Sequence, residues 1–404
     1  MFRRRFPTTL CRSVFAALLF AALVLLAGCM DPLSQGGHAG YAGISVLEAP
    51  GSISELQITV SGPAMSTIGP LLLSPGTTSL TLKVPTGPDR VFDISGGWFT
   101  YRRVAGVTAK GLDLSARMRP YIVVPDRNND RLAIVKDMNG AGWTGMISVV
   151  EDPGPPQPIT APRWVDFDNQ GRLLLYFSDA LVTISDPGIA GPIVDFETVT
   201  GAEIAAYDRA GGYLYYYSGT GINRWDGLGT LFFSYDGDAF GMAMGDGGHI
   251  YIVGRTEASG ATVPGVEKYN PATFTVVESF SDAGVFSSPA QDVTFVNGYV
   301  YVANPNGPDG YKVLKFDTEL QLVAAFGSAP ADPANPQPRE FFGPRQFVAT
   351  LGKRLILMDG GGQFFEDTLV NRLVAFDDVG SSSGWRTFGE HGDAENQFEF
   401  YFAC

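Results

Sequence analysis

Asp126, Asn128 and Asp130 stand in the Asp-x-Asn-x-Asp spacing with which a short loop ligates calcium through side-chain oxygens. Such a loop also needs a glycine at its sixth position and a bidentate glutamate at its twelfth. Those places hold Arg131 and Asp137. The same acids fit a tight inter-strand turn in which Asp and Asn side chains bond nearby amides. A second acidic, glycine-rich zone, Asp236, Asp238 and Asp246 among Gly237, Gly245, Gly247 and Gly248, spans two turns. His38, His249 and His391 are scattered, whereas an imidazole metal site needs convergence. No Gly-x-Ser-x-Gly elbow occurs, and Lys110-Gly111 lies outside any Walker pattern. These residues assign no catalytic side chain, no metal ligand set and no cofactor; calcium is the one ion the acids could serve.

The elements that would carry such residues are legible in composition. Glycine is 50 of 404 residues, about 12% against a usual 7% or so, which calls for many tight turns and an all-β chain. Apolar residues make up 45% and charged ones 17%, enough to bury large cores over two or three domains. With 28 Lys+Arg against 42 Asp+Glu, a formal charge of -14 and no basic stripe, nucleic acid is excluded as a partner.

Arg3, Arg4, Arg5 and Arg12 precede a mostly apolar run from Val14 to Gly28, too short for a spanning helix and suited to a signal-peptide core. The run ends in Leu26-Ala27-Gly28-Cys29, which resembles the lipobox of bacterial lipoproteins. That resemblance implies diacylglyceryl transfer to the Cys29 thiol, cleavage between Gly28 and Cys29, and a lipid-anchored protein of the bacterial cell envelope. Losing the four leader arginines takes the charge from -14 to -18, so anionic headgroups repel the body and the lipid must hold it. Residues 29–43 then form the lipidated cysteine and a flexible Gly-rich tether. With Cys11 removed and Cys29 lipidated, Cys404 has no disulfide partner. It reads as a reactive thiol or a small buried hydrophobe.

From 44 to 118 apolar residues alternate with polar ones: Leu56, Ile58 and Val60; Leu80, Leu82 and Val84; Phe92 and Ile94; Leu112 and Leu114. One buried and one solvated face per strand predicts a small β-sandwich, immunoglobulin-like or prealbumin-like. Val84 to Phe92 looks like the strand-turn-strand of small β domains in surface lipoproteins. Such a unit serves as an adhesive module or as a spacer.

Residues 119–404 repeat. Hydrophobic second strands begin near Tyr121, Leu173, Tyr213, Ile250, Tyr299 and Leu355, and third strands close on Val135-Lys-Asp137, Arg224-Trp-Asp226, Lys268-Tyr-Asn270, Lys315-Phe-Asp317 and Ala375-Phe-Asp377. Six units of roughly 40 to 50 residues predict a six-bladed β-propeller. Val124-Pro-Asp126-Arg-Asn-Asn129-Asp-Arg131-Leu-Ala-Ile134-Val135 resembles the strand, turn and strand of NHL-repeat propellers. Asp359 through Asn371-Arg372-Leu373 repeats that pattern with an insertion. The linker signature appears as Phe326-Gly327 leading to Phe342-Gly-Pro344, and again as Trp385-Arg-Thr-Phe-Gly389 leading to Gln397-Phe398.

The first unit lacks an inner strand before Tyr121, while residues 397–404 form a strand with no unit of their own. The tail is expected to supply that strand and close the ring. Insertions at 254–265, 304–310, 328–339 and 360–370 sit in the later units, and the last holds Phe364, Phe365, Glu366 and Asp367. Loops on a rigid scaffold carry recognition, which makes these four the candidate binding residues. The expected function is a non-enzymatic scaffold binding a protein, peptide or glycan; the alternatives are a hydrolase or lyase with a channel metal ion and a structural component of the envelope.

Overall fold

A computed structural model describes residues 39–48, 56–73, 79–136, 138, 143–150, 157–177, 180–184, 193–198, 204–226, 230–235, 237–256, 263–273, 275–305, 311–332, 335–348, 355–360, 370–377, 383–394 and 397–398. The leader, Gly28, Cys29, Asp137, Asp236, Phe364 to Asp367 and Cys404 lie outside them. Among the described residues no helix is long and apolar enough to cross a membrane.

Alternation builds the first unit: β1 (Ala39–Glu48), β2 (Leu56–Ser61), β3 (Ile68–Leu73), β4 (Ser79–Pro85), β5 (Gly87–Gly96), β6 (Phe99–Val107), β7 (Leu112–Arg117) and β8 (Arg119–Pro120). They form two sheets, β4-β1-β7 and β3-β2-β5-β6-β8. Ile44, Val84 and Leu114 of the first share one core with Ile58, Val60, Phe92 and Ile94 of the second. Strand β1 starts inside the stretch read as tether. Gly40 and Gly43, which suggested freedom, instead permit close approach: a Cβ there would lie 2.2 Å from the Thr108 carbonyl oxygen and 2.7 Å from Asp113 Oδ1. Between them Ala42 is fully buried. The Val84–Phe92 segment is strand, turn and strand, held by Arg90, whose Nε and Nη2 donate to the carbonyls of Pro85 (3.0 Å) and Thr86 (2.7 Å).

The rest of the chain is a succession of antiparallel meanders. One has three strands, β9 (Ile122–Asp126), β10 (Arg131–Val135) and β11 (Trp143–Ile147), and is followed by the short pair β12 (Val149–Val150) and β13 (Gln157–Pro158). Five then have four strands each: β14–β17 (Trp164–Phe167, Leu173–Phe177, Ala180–Ile184, Ile193–Thr198); β18–β21 (Ile204–Asp208, Tyr213–Tyr217, Gly221–Trp225, Thr230–Ser234); β22–β25 (Asp238–Met244, Ile250–Thr256, Val263–Asn270, Thr275–Phe280); β26–β29 (Asp292–Val296, Tyr299–Asn304, Lys312–Phe316, Leu322–Phe326); and β30–β33 (Pro344–Phe347, Leu355–Gly360, Asn371–Phe376, Arg386–Phe388). Two short strands, β34 (Glu390–His391) and β35 (Gln397–Phe398), pair in parallel after the last.

The first strands touch in sequence, β14 to β18, β22, β26 and β30, and β9 touches β14. At the seam, Ile122 and Val124 of β9 share a core with Met358, Leu373 and Phe398. The aromatic linker residues fill a gap between the last two meanders: Phe326 stacks on Phe376 at 5.4 Å, and Trp385 lies 5.5 Å from Phe341. The first unit is joined to this ring. Trp98, fully buried, packs edge-on against Phe167 at 6.3 Å, and its indole donates to the Ile184 carbonyl at 2.7 Å.

Candidate functional site

Each first strand is the edge strand of its sheet, so the backbone groups on its free side face the middle of the ring. There they enclose a cavity of about 840 Å³, walled by β14, β18, β22, β26 and β30, with Pro125, Arg127 and Met358 completing it. The ring is a β-propeller. A family model does not match the chain, nor does any curated protein. Among solved structures, the chain is similar to Kluyveromyces lactis Hsv2, at 9% identity and a TM-score of 0.36 over 74% of this chain and 93% of that one. It is also similar to the Neurospora crassa Pan2 WD40 domain, at 13% identity and a TM-score of 0.32 over 82% and 89%.

Close packing of the propeller's inner strands places Asp292 in the wall. A Cβ on Gly241 of β22 would sit 2.5 Å from the Asp292 Cα, so only glycine lets these two strands approach so closely. From the other side the Phe347 amide donates to Asp292 Oδ2 at 2.7 Å. Burial pushes the Asp292 carboxyl up to about 7, and the amides of Phe347 and Val293 only partly oppose it. An unfolded aspartate titrates near 3.9. With the folded value raised, the stability Asp292 contributes is fully present below about pH 4 and is lost as pH rises through 7. Asp292→Asn keeps an acceptor for Phe347 and is expected to flatten the fall in melting temperature between pH 4 and 8. The same slope in variant and wild type would show that Asp292 is ionised throughout.

Toward the far end of β14, Asp166 meets Arg209 at 2.5 Å, and Arg209 Nε donates to the Phe167 carbonyl at 3.0 Å. Burial raises the Asp166 carboxyl, while Arg209 favours its ionised form.

The acids noticed in the sequence lie elsewhere and do not converge. Asp126 Oδ2 accepts from Arg131 Nε at 2.7 Å and from Asn129 Nδ2 at 3.0 Å; Asn128 is exposed; Asp130, with φ of +49°, accepts from the Ala161 amide at 2.7 Å. Here the calcium-like spacing builds a turn. Asp238 pairs with exposed Arg255 at 3.2 Å, whereas Asp246 lines the cavity beyond the opposite end of β22. His391 Nδ1 lies 2.8 Å from Asn371 Nδ2, and the His249 carbonyl accepts from the Gly245 amide at 2.8 Å. Among the described residues no group of three or more His, Cys, Asp or Glu could hold a metal.

The Asp and Arg residues that repeat in the first and last meanders form a recurring hook. Asp359, fully buried, accepts from Arg372 Nε (3.0 Å) and from the amides of Phe342 (2.8 Å) and Gly343 (2.9 Å). Arg372 in turn donates to the Glu340 carbonyl at 2.8 Å. Burial pushes the Asp359 carboxyl up, against Arg372 and the two amides, which favour the ionised form. In the first meander Arg131 holds Asp126 and donates to the carbonyls of Asp393 (2.5 Å) and Gln397 (2.9 Å). The Asp359–Arg372 hook grips the linker that leads into its own blade at β30, and the Asp126–Arg131 hook grips the segment that carries β34 and β35.

Sequence reasoning passed over Asp292, Arg163 and Arg345. A signal for the arginines existed: Pro162-Arg163 and Pro344-Arg345 repeat one dipeptide at the start of two inner strands.

Proposed function

We propose that this chain is an exported, lipid-anchored protein of the bacterial cell envelope, and that its β-propeller is a non-enzymatic scaffold for a protein, peptide or glycan. One observation carries the binding role. Second strands run antiparallel to first strands, so the second-to-third loops open on the face where the first strands begin, together with the linkers and the channel mouth. Variable loops on a rigid ring around a concave mouth are a recognition surface.

The ring we propose has six blades, the first completed by the tail. Phe342, whose amide bonds Asp359, stands just before β30; Phe398, also buried, follows the carbonyls gripped by Arg131. By that correspondence the tail, residues 397–404, is the segment we propose as the inner strand beside β9, whose free edge has no partner among the described strands; residues 399–404 lie outside the described ones. Cys29 carries the lipid that holds the acidic body at the membrane.

Affinity capture from fractionated cells tests the function. Wild type is expected in membranes with a bound partner, and Cys29→Ser in the soluble fraction. Replacing Phe364, Phe365, Glu366 and Asp367 by serine is expected to keep membrane attachment and lose the partner. Membrane retention of Cys29→Ser would refute the anchor, and undiminished capture by the loop variant would refute the recognition face.

A further inference from the structure

In an acidic chain, three arginines gather at one end of the channel. Arg163 immediately precedes β14 and Arg345 lies in β30; both line the cavity. These strands flank the first blade, and Gln346 Nε2 reaches across that sector to donate to the Arg163 carbonyl at 3.2 Å. That bond joins residues 183 positions apart and brings the two Pro-Arg dipeptides to one place. Arg127, following β9 directly, lines the same end.

Arg163 is only partly exposed, and among the described residues its guanidinium makes no hydrogen bond or ion pair. Burying a cation in part without a counter-charge costs solvation that a bound anion would restore. Arg209, a further guanidinium in the wall, is already paired with Asp166 at the opposite end. The cavity, about 840 Å³, falls in the range of small-ligand sites, roughly 300–1,000 Å³. Met242, Phe347 and Met358 give its wall apolar patches.

We infer that the channel mouth binds a small organic anion, its oxyanion group on Arg163 beside Arg345 and its apolar body against Phe347 and Met358. Guanidinium forks suit the planar or tetrahedral oxygens of carboxylates and phosphates. With 42 acids against 28 bases, the body as a whole repels anions, so saturable binding would be local. The inference uses the ring and its channel and is independent of a protein partner.

Titration calorimetry at constant ionic strength with benzoate and phenyl phosphate, against inorganic phosphate as the headgroup alone, tests it. One of the two organic anions is expected to bind saturably, more tightly than inorganic phosphate, and which one does so identifies the headgroup. Arg163→Gln is expected to weaken that binding roughly tenfold or more, whereas Arg255→Gln, an exposed position outside the cavity, leaves it unchanged. Absence of saturable binding by either organic anion, equal affinity in Arg163→Gln, or inorganic phosphate binding as tightly as both would overturn the inference. Anion binding on Arg163 without loop-dependent capture would leave this site standing and remove the scaffold role.

Discussion

Replacing Arg131 by alanine is expected to destabilise the propeller by about 3–5 kcal/mol, the usual cost of breaking a buried ion pair from one side. Arg131 is 4% exposed and Asp126 fully buried. The variant would leave that carboxylate its Asn129 amide donor but strip it of its guanidinium. It would also strip the donor from the carbonyls of Asp393 and Gln397, which carry the chain to the seam between the last blade and the first. The loss should therefore appear as opening of the ring. Chemical denaturation gives the size, and hydrogen exchange gives the place: amides of β9 and β10 should lose protection first. Arg131→Lys keeps the charge without the fork and should fall between. Arg255→Ala calibrates the scale, because its pair with Asp238 is about half exposed on both sides and such pairs are worth about 0–1 kcal/mol. A cost for Arg131→Ala no larger than for Arg255→Ala would mean that the hook does not hold the seam.

What the sequence reveals and what it hides divide along a physical line. Leu173, Tyr213, Ile250, Tyr299 and Leu355, where periodicity places second strands, are the first residues of β15, β19, β23, β27 and β31. Those strands are covered on both faces by neighbouring sheets and so read as unbroken hydrophobic runs. Inner strands such as Trp164–Phe167 and Pro344–Phe347 are four residues long, and their shared wall consists largely of backbone edges that carry no side-chain code. Convergence across the ring is invisible for another reason: Gln346 and Arg163 meet only because the four meanders between them, β14 to β29, bend round the ring. Gly40 and Gly43 show the converse error, in which composition suggested slack and close packing was the cause.

Trp98→Ala is the other change expected to have a large effect. It should cost about 3–5 kcal/mol by removing a buried tryptophan, with a further loss from leaving the Ile184 carbonyl without its indole donor. Where that cost is felt matters more than its size. Trp98 follows β5 in the first unit, yet its ring packs on Phe167 and its nitrogen bonds Ile184, both in the second blade. Phe99 reaches the same Phe167 at 6.5 Å, and Lys136 of the ring pairs with Asp93 of β5 at 2.7 Å. That ion pair is partly solvated and worth about 0–1 kcal/mol, so Lys136→Ala should be nearly silent and the aromatic contact should dominate. A spacer with its own core would unfold separately, and Trp98→Ala would then shift its transition alone. A core shared by Ile58, Trp98, Phe167 and Leu175 predicts one merged transition in the wild type by calorimetry and two in the variant. Two well-separated transitions already present in the wild type would show that the units are independent.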